Sequence, residues 1–168
     1  MAKLGQKHTS VTLIDVMGDD QTVVKAARVS FNKSDAWNSD RDTKLIQYLA
    51  KHKHTSPFGH GFVTFRVDAP VFVARQLVKH KFLRWNEISR RYVKYEPEFY
   101  EPYWRSKPEN SKQGSGGPME ISQEAEMIFH ATLRNALTTY DMMIKEGVAP
   151  EQARGVLPQN MMTSWYWS

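Results

Sequence analysis

Residues 69–92, APVFVARQLVKHKFLRWNEISRRY, decide how the chain is read. The first half has helical period: Val71, Phe72, Ala74, Arg75 and Val78 recur along one face, and Pro70 suits the first helical position, where its missing N–H leaves no bond unmade. After Phe82 the period dissolves into Leu83-Arg84-Trp85-Asn86-Glu87-Ile88-Ser89-Arg90-Arg91-Tyr92, which reads as a loop. Guanidinium forks match phosphate oxygens and Ser89 adds a neutral donor. Gln76, Lys79 and Lys81 from the helix end, with Asn86, Glu87, Ser89, Arg90 and Arg91 from the loop, are therefore expected to converge on a small polyanion. On composition alone, a solvated charged turn is the alternative.

Upstream, Gly61 to Val67 is β-branched and aromatic, the pattern of a strand that feeds this helix. Before it, the segment from His52 to His60 holds three histidines, but no carboxylate lies inside it and the spacing is neither that of a zincin helix nor of a finger. It is read as holding no metal. Residues 9–17 alternate as a strand, Gly18-Asp19-Asp20 supplies a turn and a cap, and QTVVKAARVSF reads as a helix burying Val23, Val24, Ala27 and Val29. Ser39 is the expected cap of the next helix, with Asp40 and Asp42 in its first turn and Leu45, Ile46 and Leu49 on one face.

Downstream, Val93 to Tyr95 is expected to extend as a strand, residues 96–118 are rich in Pro, Gly, Ser, Lys and Glu, and GSGG at 114–117 reads as a loop, either a lid or a surface excursion. The longest helical pattern runs from about Glu120 to Glu146 with Gly147 as its stop, and Pro150 opens a short helix carrying Arg154. The aromatics of Trp165-Tyr166-Trp167 are expected to pack against this chain or another.

The central stretch resembles the signature of the flavin-dependent thymidylate synthases, Arg-His-Arg followed after seven residues by Ser. Arg75-Gln76, Lys79-His80-Lys81, Asn86-Glu87, Ser89 and Arg91-Tyr92 stand at matching spacing. DVMGDD, KAARVSF, KHKHTSPFGH and the ARGVLP around Arg154 extend the resemblance over nearly the whole chain. Lys79 and Lys81 keep the charge of the family's arginines but lose the bidentate fork. Gly59 stands where the family commonly has Glu, and Arg84 where many members have a small residue.

The resemblance implies an α+β fold, a small, largely antiparallel sheet packed with long helices, in a single domain over residues 1–168. It implies reductive methylation of dUMP to dTMP, with 5,10-methylenetetrahydrofolate as carbon donor and NADPH reducing a bound FAD. Gln76, Glu87, Ser89, Arg90, Arg91 and Arg154 would hold dUMP, with Arg91 and Ser89 nearest the chemistry. His54, Ser56, Lys79, His80 and Lys81 would face FAD. The family assembles as a homotetramer with shared sites. Its members continue past the equivalent of Trp167-Ser168, so this chain resembles a shortened, phage-like member whose missing C-terminal region a second polypeptide would supply.

Composition agrees: 168 residues, 40% hydrophobic and 24% charged, suit one soluble domain, and a net charge of +5 suits an anionic ligand. The sequence contains no cysteine, so disulfides and a cysteine nucleophile are excluded, the latter required by the other class of thymidylate synthase. With no apolar run of membrane-spanning length and no signal-like N-terminus, the expected location is the cytoplasm. Two other functions remain open: a non-catalytic remnant that binds nucleotide or only assembles, and a nucleic-acid-binding module built on KHKFLRW.

Overall fold

Capping side chains fix where the helices begin, and a few backbone bonds fix how the strands meet. The computed structural model describes residues 6–33, 35–93, 95–110 and 114–168. In chain order the elements are β1 (Gln6–Lys7), β2 (Ser10–Met17), α1 (Asp20–Val29), α2 (Ser39–Lys51), a 3-10 turn (Ser56–His60), β3 (Phe62–Pro70), α3 (Val71–Leu77), β4 (Trp85–Glu87), β5 (Phe99–Tyr100), α4 (Gln123–Lys145), α5 (Pro150–Ala153), a second 3-10 turn (Arg154–Val156) and β6 (Met162–Trp167). The fold is α+β with a small, largely antiparallel sheet. Its four strands run in the order β2-β3-β6-β4, and β1 pairs separately with β5 in parallel.

The chain divides into two compact units, and the boundaries fall within or beside strands: Val11–Arg66 with Tyr166–Ser168, and Met1–Ser10 with Val67–Trp165. In the first, Gly18 at φ +84° makes the turn out of β2, and a Cβ there would lie 3.2 Å from the His60 carbonyl oxygen. Asp19 and Thr22 then form a reciprocal capping box that opens α1. Val23 and Val24 are buried as expected, whereas Val29 is 74% exposed because it lies in the helix's final turn. The cap of α2 is Asn38, not Ser39: Asn38 is extended and its side chain accepts the Arg41 N–H, while Ser39 is already helical. Asp42, in the first turn as expected, is fully buried; the Asn38 N–H and the Arg28 and Arg41 guanidiniums surround it.

In the second unit, Pro70 ends β3 with φ −69° and ψ 154°, so it is the N-cap of α3 and not its first helical residue. The first N–H groups of α3 are satisfied from elsewhere: Val71 donates to the Met161 carbonyl at 2.9 Å and Phe72 to that of Gln159 at 3.0 Å. The same turn accepts Tyr100 N–H at the Asn160 carbonyl, while Met162 N–H donates to Glu98. Residues 158–162 thus tie α3 and β5 together. The expected loop after Phe82 contains β4, whose neighbour in the sheet is β6.

The expected strand from Val93 to Tyr95 is not formed at Val93 or Tyr95, and Lys94 lies outside the described residues. α4 starts at Gln123, later than expected, because Ser122 caps it and Met119 is bonded to the Trp104 carbonyl. Phe99, Leu133 and Leu137 form the buried centre between β5 and α4, with Phe129, Leu157 and Met161 against it. No helix among the described residues is long and apolar enough to cross a membrane.

Candidate active site

One face of α3 is the wall of a cleft. Val71, Ala74, Arg75 and Val78 recur at helical spacing and line a cavity of about 460 Å³, together with Glu87, Ile88 and Arg90 from β4 and the turn after it. Tyr95 lines it too, and its remaining wall comes from Glu151, Arg154, Gly155 and the turn leading into β6. The volume is that of a small-molecule site. Three arginines, Arg75, Arg90 and Arg154, and two glutamates, Glu87 and Glu151, line it. The arrangement leaves an excess of positive charge for an anionic ligand.

The expected nucleotide residues divide into two sets. Glu87, Arg90 and Arg154 line the cleft; Gln76, Ser89 and Arg91 do not. Gln76 follows Arg75 and is turned about 100° from it around the helix axis. Arg90 is buried at 6% exposure and donates from Nη1 to the Tyr95 carbonyl at 2.6 Å, with its guanidinium 4.6 Å above that residue's ring.

The Glu87 carboxylate accepts the Thr163 hydroxyl at 2.7 Å and the Trp85 indole N–H at 3.2 Å. Strand alternation puts residues 85 and 87 on one face, which makes the second bond available. Ser89 Oγ accepts the Arg91 N–H at 3.3 Å and its carbonyl accepts Tyr92 and Val93, so Ser89 organises the turn. The Arg91 guanidinium lies 5.1 Å from the centre of the Tyr92 ring.

Lys79, His80 and Lys81 line a separate, shallower depression of about 360 Å³ with Phe82 and Leu83. Their charge and donors suit the diphosphate of a dinucleotide. In the other unit, His54 and Ser56 are both exposed at the end of α2 and the start of the 3-10 turn. The His54 ring stands edge-on to Tyr48 at 6.1 Å, and Tyr48 lies 4.3 Å from His52, so exposed rings and an imidazole suit a flat aromatic ligand.

Sequence reasoning did not assign Arg75, Glu151 or Tyr95 to the site. The signal for Arg75 was in its spacing: it shares a face with Val71, Ala74 and Val78, and one cationic member in an apolar stripe marks a lined cavity as well as a core edge.

The family model described as thymidylate synthase complementing protein matches residues 12–168. The chain belongs to this family. Among its relatives, the flavin-dependent thymidylate synthase of Thermus thermophilus is 42% identical over 158 residues, covering 94% of this chain and 58% of the relative. That of Thermotoga neapolitana is 41% identical over 159 residues, covering 94% and 69%. The chain therefore spans less than two thirds of the length of the Thermus relative.

Among solved structures, the UMP/dUMP methylase PolB of Streptomyces cacaoi bound with 5-Br dUMP superposes with a TM-score of 0.85 at 33% identity, over 96% of this chain and 72% of that one. The same methylase bound with 5-Br UMP gives 0.79 at 32% identity, over 96% and 71%.

Proposed function

We propose that the chain acts as a flavin-dependent thymidylate synthase, converting dUMP to dTMP with 5,10-methylenetetrahydrofolate as carbon donor and NADPH as reductant of FAD. The observation that carries this reading is the cleft of about 460 Å³, where Arg75, Arg90 and Arg154 supply the positive charge for a nucleotide phosphate in a chain of this family. Arg154 and Arg75 meet the phosphate, and Arg90, anchored on Tyr95, keeps the wall in place while adding its charge. Glu87 cross-links β4 to β6 through Thr163 and so fixes the position of that wall. Guanidinium charge also stabilises negative charge developing on the uracil, the role given to Arg91. FAD, when bound, supplies the reducing equivalents that turn the transferred one-carbon unit into a methyl group.

Gln76, Ser89 and Arg91 lie outside the cleft of their own chain. In this reading they complete the site of another copy in a homotetramer, with Lys79, His80, Lys81, His54 and Ser56 holding FAD. Apolar residues left open to solvent, among them Val11 at 67% and Ile128 at 59% exposure, support assembly. The family match runs through both compact units, which supports treating them as one domain. The reaction belongs to the cytoplasm, where its nucleotide and folate substrates are found.

The second reading, nucleotide binding without turnover, is favoured by Lys79 and Lys81, which keep positive charge but lose the bidentate fork. The test is dTMP formation from dUMP with FAD, NADPH and methylenetetrahydrofolate. Product formed supports the synthase; bound dUMP with no product, even after addition of the remaining segment from a relative, supports the second reading.

A further inference from the structure

A histidine and two glutamates converge outside both depressions. One ligand atom each from Glu101, Glu126 and His130 lies within 4.8 Å of the others. Glu126 and His130 are four residues apart on α4, so their side chains rise over the same face. Glu101 follows β5 directly, and its position relative to that face is set by the core: Phe99, 2% exposed, packs with Leu133 and Leu137 of α4. His130 Nε2 lies 3.4 Å from Glu101 Oε1, with both side chains about three-quarters buried. The imidazole is braced by Phe129 at 5.4 Å, which in turn meets Trp104 at 5.2 Å.

We propose that Glu101, Glu126 and His130 form a binding site for a divalent transition-metal ion of the class of Zn²⁺ or Mn²⁺. Three donors bound at about 2.0–2.2 Å from one ion stand roughly 3–3.5 Å apart. The His130–Glu101 pair has that separation already, and Glu126, exposed and on a flexible stem, closes the rest by rotation. Two carboxylates with a neutral imidazole carry two negative charges, which a divalent ion neutralises. The imidazole selects a first-row transition ion over Mg²⁺ or Ca²⁺, which take oxygen ligands. The ion would clamp the chain leaving β5 onto α4, where the buried centre of this unit lies. None of the three residues lines the cleft of about 460 Å³, so the site is separate from the one proposed for nucleotide. Sequence spacing alone hides it, since Glu101 is far from the helical pair in the chain.

The experiment is calorimetric titration of the chelator-treated full chain with Zn²⁺, and separately with Mn²⁺, alongside thermal unfolding with and without the ion. The expected result is one equivalent bound per chain and a raised Tm. Zn²⁺ affinity falls at least about tenfold in His130→Gln and in Glu126→Gln, the second at an exposed position that leaves the fold intact. Zn²⁺ binding by a His52→Gln, His54→Gln variant stays unchanged, which separates this site from the other histidines. Absence of binding at about 100 µM ion, or binding that survives both His130→Gln and Glu126→Gln, would overturn the proposal and leave an ordinary His–Glu pair.

Discussion

Replacing Arg154 by alanine separates ligand binding from folding. Arg154 is exposed, and its Nε donates only to the carbonyl of Glu151 in its own turn, at 3.3 Å. Such a long local bond adds little, so the change in unfolding free energy is expected to stay within about 0.5 kcal/mol. If the same guanidinium meets the nucleotide phosphate, its loss removes a charge-assisted bond of about 1.5–3 kcal/mol. At about 1.4 kcal/mol per factor of ten, the Kd for dUMP should rise roughly 10- to 150-fold. Calorimetric titration of dUMP into the FAD-treated chain, with thermal unfolding as control, reads both quantities. Arg154→Lys should recover part of the affinity, since charge returns without the planar fork. Arg90→Ala is the less informative variant, because Arg90 is buried and bonded to Tyr95. An unchanged Kd in Arg154→Ala, at unchanged Tm, would refute the placement of the phosphate.

Three further outcomes follow from the geometry. Burial alone would push the Asp42 carboxyl up, but the Asn38 N–H and the Arg41 and Arg28 guanidiniums outweigh it and hold it at about 2, below the ordinary 3.8. The folded value lies below the unfolded one, so this stabilisation is complete above about pH 4 and is lost as pH falls through about 2. Asp42→Asn should therefore lower the Tm at neutral pH and flatten its decline in that acid window; an unaltered Tm-against-pH curve would show that the cluster does not contribute. Leu137→Ala, which opens a cavity beside Phe99 and Leu133, should cost about 2–5 kcal/mol by urea unfolding, and a loss under about 1 kcal/mol would contradict the buried centre described. Gly59→Glu should change stability by no more than about 0.5 kcal/mol, because nothing lies within 4 Å of a Cβ at that position; a larger loss in chemical unfolding would reveal a contact not seen in the fold.

Elements with strong local chemistry were legible in the sequence. The Gly18-Asp19 turn and cap, the stop of α4 at Gly147, and the strand ending at Met17 follow from residues close to one another. What local pattern could not supply was the partner. An apolar stripe has the same period whether it faces a core or a cleft, and of Val71, Ala74 and Val78 only Ala74 is buried. β4 is three residues long and β5 two, too short to show alternation in the sequence, and bonds to residues 160–164, far along the chain, place them. Asp42 looked like a first-turn acid because its burial depends on Arg28, on another helix. For the site, the charged stretch around Arg90 stood out by its composition, and Arg154 was named only through the family resemblance. Their meeting in one cleft with Arg75 required the fold.

The central claim is that this chain holds a nucleotide beside a flavin, and the visible absorption spectrum tests it most directly. The purified protein is incubated with FAD, passed through gel filtration, and scanned with and without dUMP. Retained flavin whose spectrum shifts on adding dUMP, with the shift weakened in Arg154→Ala, is the predicted result. Flavin retained with no response to dUMP at any concentration, or dUMP-independent loss of all flavin, would contradict it.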